Sequence, residues 1–302
     1  MKLLIINNIK SGLGDGSIYD FIRSFSKEND EIVLRNVYHN TDIKTKLTDA
    51  KDFDIIVVSG GDDTVSKVSY SLKYTDIPIL PYPSGTSNLI AQNLFIPSEP
   101  HAIAKLARAK QTMKFDIGEI STDTATFGFG CNAGIGYSTK ISKEAMTTRK
   151  SLGVFSYIGA ALSNYKPQDS KFEIELDDKK IQSEGVGVLL LNFAKIGLDL
   201  KLTHLNRPLD GLFDVVILKG KTAFKYIPAL TAAALDNAID FPERSDALES
   251  HLASKVKITA TPTMELQVDG KPTELKTPFS VRVLKHAANY VIDPDNIEAT
   301  EN

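Results

Sequence analysis

The sequence has one cysteine and no hydrophobic run long enough to cross a membrane. Cys131 has no partner for an intrachain disulfide, so nothing in the chain requires an oxidising compartment. No stretch approaches the roughly 20 uninterrupted apolar residues of a transmembrane helix. The apolar stretch at 3–6 is too short for a signal peptide. We therefore expect a cytoplasmic protein whose contact with a membrane, if it has any, is peripheral.

The sequence also lacks an excess of charge of one sign and lacks histidines at the spacing of metal ligands. The 35 basic and 38 acidic residues leave a formal net charge of −3, so there is no whole-protein basic footprint for nucleic acid. The five histidines are scattered without the spacing of zinc ligands, which argues against a His/Cys metal site. The chain is 42% hydrophobic and 24% charged, which is typical of a globular protein. Its 302 residues suggest two domains of roughly 150 residues each.

The first third of the chain alternates short apolar strands with helices. We expect strands at 3–6, 31–38, 53–58 and 77–80, and helices at 18–27, 42–50, 64–72, 86–94 and 99–109. This alternation is typical of a parallel sheet with helices on both faces. Ligands of such sheets bind at the carboxyl ends of the strands.

From about residue 113 the strand signals dominate. Alternating apolar residues at 172–176 and 186–190 predict half-buried antiparallel strands, and Asp269-Gly270 is a hairpin signal. Further strands are expected at 214–218, 256–258 and 264–268, and helical insertions at about 142–164 and 222–239. The region from about 114 to 285 therefore predicts an antiparallel sandwich or barrel.

Three loops rich in glycine and hydroxyl side chains follow strands of the first third. They lie at 8–14, 59–64 and 81–88. Glycines let backbone N–H groups approach a phosphate, and a helix amino terminus adds partial positive charge. Each loop alone has a plain alternative, for example a tight turn with Asp63 or Thr64 as helix N-cap. Three together at one sheet edge favour a nucleotide pocket.

The order of these motifs resembles the diacylglycerol kinase catalytic family, which includes bacterial lipid kinases and sphingosine kinases. The similar motifs lie at 8–12, 41, 60–64, 83–88, 116–118, 132–136, 210–214 and 268–270 and span most of the chain. By this resemblance the nucleotide-binding residues are Asn8, Ser11, Gly12, Thr41, Gly60, Gly61, Asp62, Asp63, Thr64, Gly85, Thr86 and Asn88.

The resemblance implies a two-domain fold and a lipid kinase activity. A nucleotide-binding, parallel-sheet α/β domain would occupy 1–113 and be rejoined by 286–302, and an antiparallel β-sandwich would occupy 114–285. The family transfers the γ-phosphate of ATP to a lipid hydroxyl with Mg²⁺. The implied partner is a diacylglycerol- or sphingosine-like lipid at the membrane surface, not nucleic acid, and a homodimer is left open.

The resemblance also implies a metal loop and a carboxylate near the reacting hydroxyl. The carboxylate of Asp210 and the carbonyls of Arg207 and Leu212 would hold a structural ion, and oxygen ligands suit Mg²⁺ or Ca²⁺. Asp-Gly is also a common turn between strands. Asp116 would lie near the hydroxyl, or else be a structural carboxylate at the domain junction.

Three residues depart from the family pattern. Asp63 replaces the last glycine of the phosphate loop, Lys67 stands where the family usually has Glu, and Lys271 stands at the catalytic Glu. A carboxylate at 63 repels phosphate unless Mg²⁺ bridges it. A protonated Lys271 cannot accept the substrate proton, although a desolvated one could. We therefore expect weak or absent catalysis.

Two alternatives to a lipid kinase remain open, and so does the role of one basic run. The first is a catalytically inactive homologue that binds lipid or nucleotide, and the second is an NAD kinase, which shares the Gly-Gly-Asp-Gly-Thr loop. A basic run, Lys140, Lys143, Arg149 and Lys150, is either a contact for anionic lipid or a solvated face.

Overall fold

The computed structural model describes residues 1–11, 16–38, 41–136, 170–193, 209–219 and 248–296. Its first elements are β1 (Lys2–Asn8), α1 (Ser17–Phe25), β2 (Glu31–Val37), β3 (Ile55–Gly60), α2 (Asp62–Ser71), β4 (Ile79–Pro83), α3 (Leu89–Asn93) and α4 (Pro100–Ala109). Two 3₁₀ turns, Ile43–Lys46 and Ala50–Asp52, replace the single helix expected at 42–50. None of the helices in these ranges is long and apolar enough to cross a membrane.

The first four strands form a parallel sheet in the order β2-β1-β3-β4. The inner strands are apolar along their length, and residues 3–6 and 55–58 are wholly buried. A strand without an exposed face must be covered on both sides, which is the expected environment of a parallel sheet. The sheet brings the carboxyl ends of four strands to one edge.

Helix α3 begins three residues later than the sequence pattern predicts. Asn88 adopts a left-handed conformation with φ 51°. Its side-chain oxygen accepts a hydrogen bond from the N–H of Gly85 at 2.7 Å, and its amide donates to the carbonyl of Gly85 at 2.9 Å. These local bonds replace helical ones. Residues 84–88 therefore remain a loop.

The later elements are strands that form two layers. They are β5 (Thr112–Ser121), β6 (Thr126–Phe129), β7 (Asn132–Gly136), β8 (Ser170–Leu176), β9 (Lys179–Gly185), β10 (Gly187–Leu191), β11 (Phe213–Leu218), β12 (Leu248–Ala253), β13 (Lys255–Thr261), β14 (Glu265–Val268), β15 (Lys271–Lys276) and β16 (Phe279–Val291). One antiparallel sheet has the order β12-β11-β10-β7-β14-β15. Buried side chains from this sheet and from β8, β13 and β16 form one core. The expected fold class, an α/β domain followed by an antiparallel sandwich, is confirmed.

Strands β5 and β16 connect the two parts of the structure. They pair along most of their length, with a register shift between Leu284 and Ala288. β16 pairs with β13 near its start and with β4 at Tyr290. One sheet therefore runs from the parallel strands into the sandwich. The insertions expected at 142–164 and 222–239 and the basic run at 140–150 lie outside the described residues.

Candidate functional site

Most of the proposed nucleotide-binding residues lie where the parallel strands end. In the strand register Asn8 lies opposite Val37, and Gly60 lies opposite Pro83. The segments that follow β2, β1, β3 and β4 therefore meet at one edge, which we call the loop edge (residues 8–11, 38, 41, 60–64 and 84–88). Gly12 lies outside the described residues.

Gly61 is the point at which three segments of the loop edge meet. A β-carbon placed on Gly61 would lie 3.7 Å from Oγ of Ser11 and 3.8 Å from Cα of Gly85. A β-carbon on Gly85 would come within 2.4 Å of Cα of Gly61, so this approach requires glycine at 85. Gly61 is also the N-cap of α2, which lacks a side-chain cap. The helix amino terminus with its first N–H groups thus lies between the loops, as a phosphate site requires.

Two hydrogen bonds join α2 to the neighbouring loops. Nδ2 of Asn8 donates to Oγ1 of the buried Thr64 at 2.9 Å. Oδ1 of the buried Asp62 accepts from the N–H of Ile90, in the first turn of α3, at 2.8 Å. Burial raises the pKa of Asp62, and the N–H groups of Ile90 and Leu89 partly offset this. Asn8, Asp62 and Thr64 thus fix the arrangement of the loops.

Thr41 and Thr86 differ in their surroundings. Oγ1 of Thr41 accepts from the N–H of Tyr38 at 2.8 Å, and the N–H of Thr41 donates to the carbonyl of Tyr38 at 3.0 Å. Thr41 therefore closes the turn after β2. Thr86 is exposed at the tip of the loop after β4. A contact of either residue with nucleotide remains a prediction.

Of the three residues that depart from the family pattern, Asp63 contacts both of the others. The carboxylate of Asp63 lies 2.7 Å from Nζ of Lys271 and 3.0 Å from Nζ of Lys67. Burial acts to raise the pKa of Asp63, but the hydrogen bond from Lys271 and the charges of both lysines outweigh it, and the pKa is lowered. The two lysine side chains are each 48% exposed. This ion cluster (Asp63, Lys67 and Lys271) has a net charge of +1 and links α2 with β15.

Asp269 holds the hairpin that carries Lys271. Its Oδ1 accepts from the N–H groups of Cys131 at 2.9 Å and Asn132 at 3.1 Å, and its Oδ2 accepts from Gly130 at 3.2 Å. Burial raises the pKa of Asp269 to about 6, although the Ser66 hydroxyl and the N–H groups of Cys131 and Asn132 favour the carboxylate. The sequence marked Asp269 only as a turn residue and as part of a motif. Its anchoring role depends on a chain segment about 140 residues away.

Asp116 is buried at the junction of the two parts. Its Oδ2 accepts from the N–H of Gly211 at 2.7 Å, and its Oδ1 accepts from the N–H of His286 at 2.7 Å. Burial raises the pKa of Asp116, and the two N–H donors oppose that effect. Both oxygens are thus engaged by the backbone, as in a structural carboxylate. The catalytic role suggested for Asp116 remains a prediction.

The described part of the predicted metal loop does not by itself form a metal site. Oδ1 of Asp210 accepts from the N–H of Leu212 at 2.8 Å. The side chain of Lys285 lies over Gly211, where an added β-carbon would be 2.1 Å from its Cε. Within the described ranges no group of three or more His, Cys, Asp or Glu residues is arranged to hold a metal. Arg207 lies outside those ranges, so the ion remains a prediction.

Comparison with protein families assigns both parts of the chain. Residues 2–120 match the model of the diacylglycerol kinase catalytic domain. Residues 132–291 match the model of the YegS C-terminal NAD kinase β-sandwich-like domain. The two matches cover most of the sequence.

Relatives and solved structures agree with these matches. A protein of Staphylococcus aureus strain MSSA476, named as a candidate lipid kinase, is 27% identical over 293 residues, which are 93% of this chain and 92% of the relative. An uncharacterized protein of Synechocystis is 26% identical over 82% of this chain, but the match spans 57% of that relative. Two crystal structures of Bacillus anthracis proteins, one described as a diacylglycerol kinase and one as a candidate for that enzyme, superpose with TM-scores of 0.72 and 0.77 at 19% and 20% identity. They cover 97% of this chain and 97% and 96% of their own chains, and they show the same fold.

Proposed function

The chain belongs to the diacylglycerol kinase catalytic family, and we propose that it transfers the γ-phosphoryl group of ATP to the hydroxyl of a diacylglycerol- or sphingosine-like lipid. The observation that carries this proposal is the convergence of Ser11, Gly61 and Gly85 at the amino terminus of α2. We place the protein in the cytoplasm, where it would meet its lipid at the membrane surface.

The loop edge suits the triphosphate because it offers backbone N–H groups and a helix amino terminus. Ten residues of α2 contribute to the helix dipole, whose positive end lies at Gly61. Magnesium would arrive with ATP and neutralise part of the phosphate charge. In the transfer, the lipid oxygen bonds to the γ-phosphorus, the bond to the bridging oxygen breaks, ADP leaves, and the hydroxyl proton passes to a base.

The ion cluster is the part of the site that limits this chemistry. Lys67 and Lys271 can stabilise charge on a transferring phosphoryl group. The carboxylate of Asp63 is a poor proton acceptor, because its pKa is lowered by Lys271 and Lys67 against the effect of burial. We therefore expect slow transfer.

A second candidate function is nucleotide or lipid binding without turnover. Its support is the ion pair itself, since Lys271 donates a hydrogen bond to Asp63 at 2.7 Å as an ammonium group. An ammonium group in this pair has no lone pair with which to accept a proton. The loops around Gly61 would still bind ATP in such a protein.

Labelled phosphate transfer separates these functions. The protein is incubated with γ-labelled ATP, magnesium and vesicles containing diacylglycerol or sphingosine, and separately with NAD, and Gly61→Leu serves as the control. Slow, magnesium-dependent label in a lipid that the control loses supports the lipid kinase. Label in NAD would instead favour the NAD kinase alternative. ATP binding without transfer to any acceptor would favour the non-catalytic function.

A further inference from the structure

Two exposed apolar side chains lie at the outer end of the loop edge. Ile9 is 44% exposed and Tyr38 is 53% exposed. In the described part of the chain, five large apolar side chains are exposed, the others being Tyr19, Tyr74 and Leu252. Of the five, Ile9 and Tyr38 directly follow neighbouring parallel strands at the loop edge. Their position at the loop edge indicates a contact with a ligand, whereas single exposed apolar residues elsewhere need no explanation.

The backbone holds both residues in place. β1 and β2 run parallel, and their last paired residues are Asn8 and Val37, so Ile9 and Tyr38 leave the sheet side by side. The peptide of Tyr38 is hydrogen-bonded in both directions to Thr41. The carbonyl of Asn8 accepts from the N–H of Ser11 at 2.9 Å and closes the turn that contains Ile9. The backbone therefore holds these two apolar residues side by side at the loop edge.

The sheet order indicates how far Tyr38 lies from the predicted phosphate site. β2 lies two strands from β3, which places Tyr38 about 10 Å from the Gly61 loop at ~4.8 Å per strand. An extended nucleoside triphosphate spans such a distance. On the other side of Gly61 lies the Gly85 loop, which approaches it closely. A nucleotide with its phosphates at Gly61 would reach Tyr38 by extending past the end of β1.

We propose that Tyr38 and Ile9 form a platform for the nucleotide base. The purine ring stacks on the ring of Tyr38, and its edge packs against Ile9. The proposal rests on the proposed function, since its ligand is ATP. Thr41 is then a positioning residue, because its hydroxyl fixes the backbone of Tyr38 and need not touch the nucleotide. A stacked base contributes affinity through its π-face without demanding a specific hydrogen bond.

Calorimetric titration of Tyr38→Ala with ATP and with inorganic tripolyphosphate tests the platform. Loss of base stacking should weaken ATP binding about fivefold to a hundredfold. Tripolyphosphate has no base and should bind the variant as it binds the parent. Tyr38→Phe keeps the ring and should retain the affinity for ATP. Tyr38 is exposed, so these variants should fold.

The outcomes of these titrations distinguish the platform from the proposed function. Unchanged ATP affinity in Tyr38→Ala, or an equal loss for tripolyphosphate, would overturn the platform while leaving the kinase proposal intact. A parent that binds ATP through Tyr38 but transfers no phosphate would overturn only the kinase proposal. A parent that does not bind ATP would overturn both.

A fluorescent reporter gives an independent test. The chain has no tryptophan, so Tyr38→Trp carries a single fluorophore at the platform. ATP should change its emission in a saturable way, and tripolyphosphate should not. The matched control is Tyr74→Trp. Tyr74 is 61% exposed and follows the carboxyl end of α2, whereas Gly61 lies at its amino end. This variant should not respond to ATP. Equal responses at both positions, or none at position 38, would refute the placement of the base.

Discussion

Replacing the Asp63–Lys271 pair by the family residues, Asp63→Gly with Lys271→Glu, should raise phosphate transfer to lipid well above that of the parent. The double variant restores a carboxylate at the position of Lys271 and removes the negative charge beside the phosphate loop. General-base catalysis typically contributes ~10²–10⁴-fold. We expect a gain within that range.

The contact between the two residues sets how the single variants behave. Lys271→Glu alone would place a second carboxylate close to that of Asp63, which now lies 2.7 Å from Nζ of Lys271. Like charges about 4 Å apart cost about 1 kcal/mol in water and about 4 kcal/mol at an effective dielectric constant near 20. This variant should therefore gain much less than the double variant. The present ion pair is partly exposed and contributes at most about 1 kcal/mol to stability, so all variants should fold.

The assay is label transfer from γ-labelled ATP at saturating magnesium and on one lipid panel. It compares the parent, Asp63→Gly, Lys271→Glu and the double variant, and the reasoning requires a non-additive gain in the double variant. A parent that already transfers about one phosphate per second, within the ordinary kinase range, would refute it. So would a Lys271→Glu variant as active as the double variant.

Three further predictions follow from single residues. Gly61→Leu should abolish ATP binding without unfolding, because its side chain would enter the space between Ser11 and Gly85; unchanged ATP affinity in a folded variant would contradict this. Asp210→Asn should lower the melting temperature and remove any stabilisation by added magnesium, and equal protection of variant and parent would place the ion elsewhere. The pKa of Asp269 is raised by burial from 3.8 to about 6. At a pH between these two pKa values, the folded protein therefore keeps a proton that the unfolded chain has already lost. Its contribution to the free energy of unfolding should fall as the pH rises from about 4 to about 6. Asp269→Asn should flatten that part of the pH dependence in urea denaturation, and an unchanged slope would contradict the assignment.

Local sequence patterns predicted the fold class because the formation of single helices and strands depends largely on residues that are close in the sequence. The apolar spacing that predicted a helix at 18–27 gives α1 at Ser17–Phe25, and the buried run expected at 53–58 gives β3 at Ile55–Gly60. The error at α3 has a local cause as well. Asn88 and Gly85 bond to each other and delay the helix, and the residue types at 86–94 do not reveal this.

Contacts between distant segments could not be read from such patterns. The sequence singled out Asp63, Lys67 and Lys271 one at a time, as departures from a family pattern. Their contact spans 208 residues between Asp63 and Lys271 and depends on the hairpin that Asp269 holds against Gly130 and its neighbours. Pairing across such separations is set by the packing of the two parts, so a one-dimensional pattern carries no signal for it.

A crystal structure of the protein with magnesium and a non-hydrolysable ATP analogue tests the central claim most directly. The phosphates should lie between Ser11, Gly61 and Gly85 at the amino terminus of α2, with the terminal phosphate toward Lys271 and the base on Tyr38. An analogue bound away from the loop edge, or one that does not bind even at high concentration, would contradict the assignment of this edge as the nucleotide site of a lipid kinase.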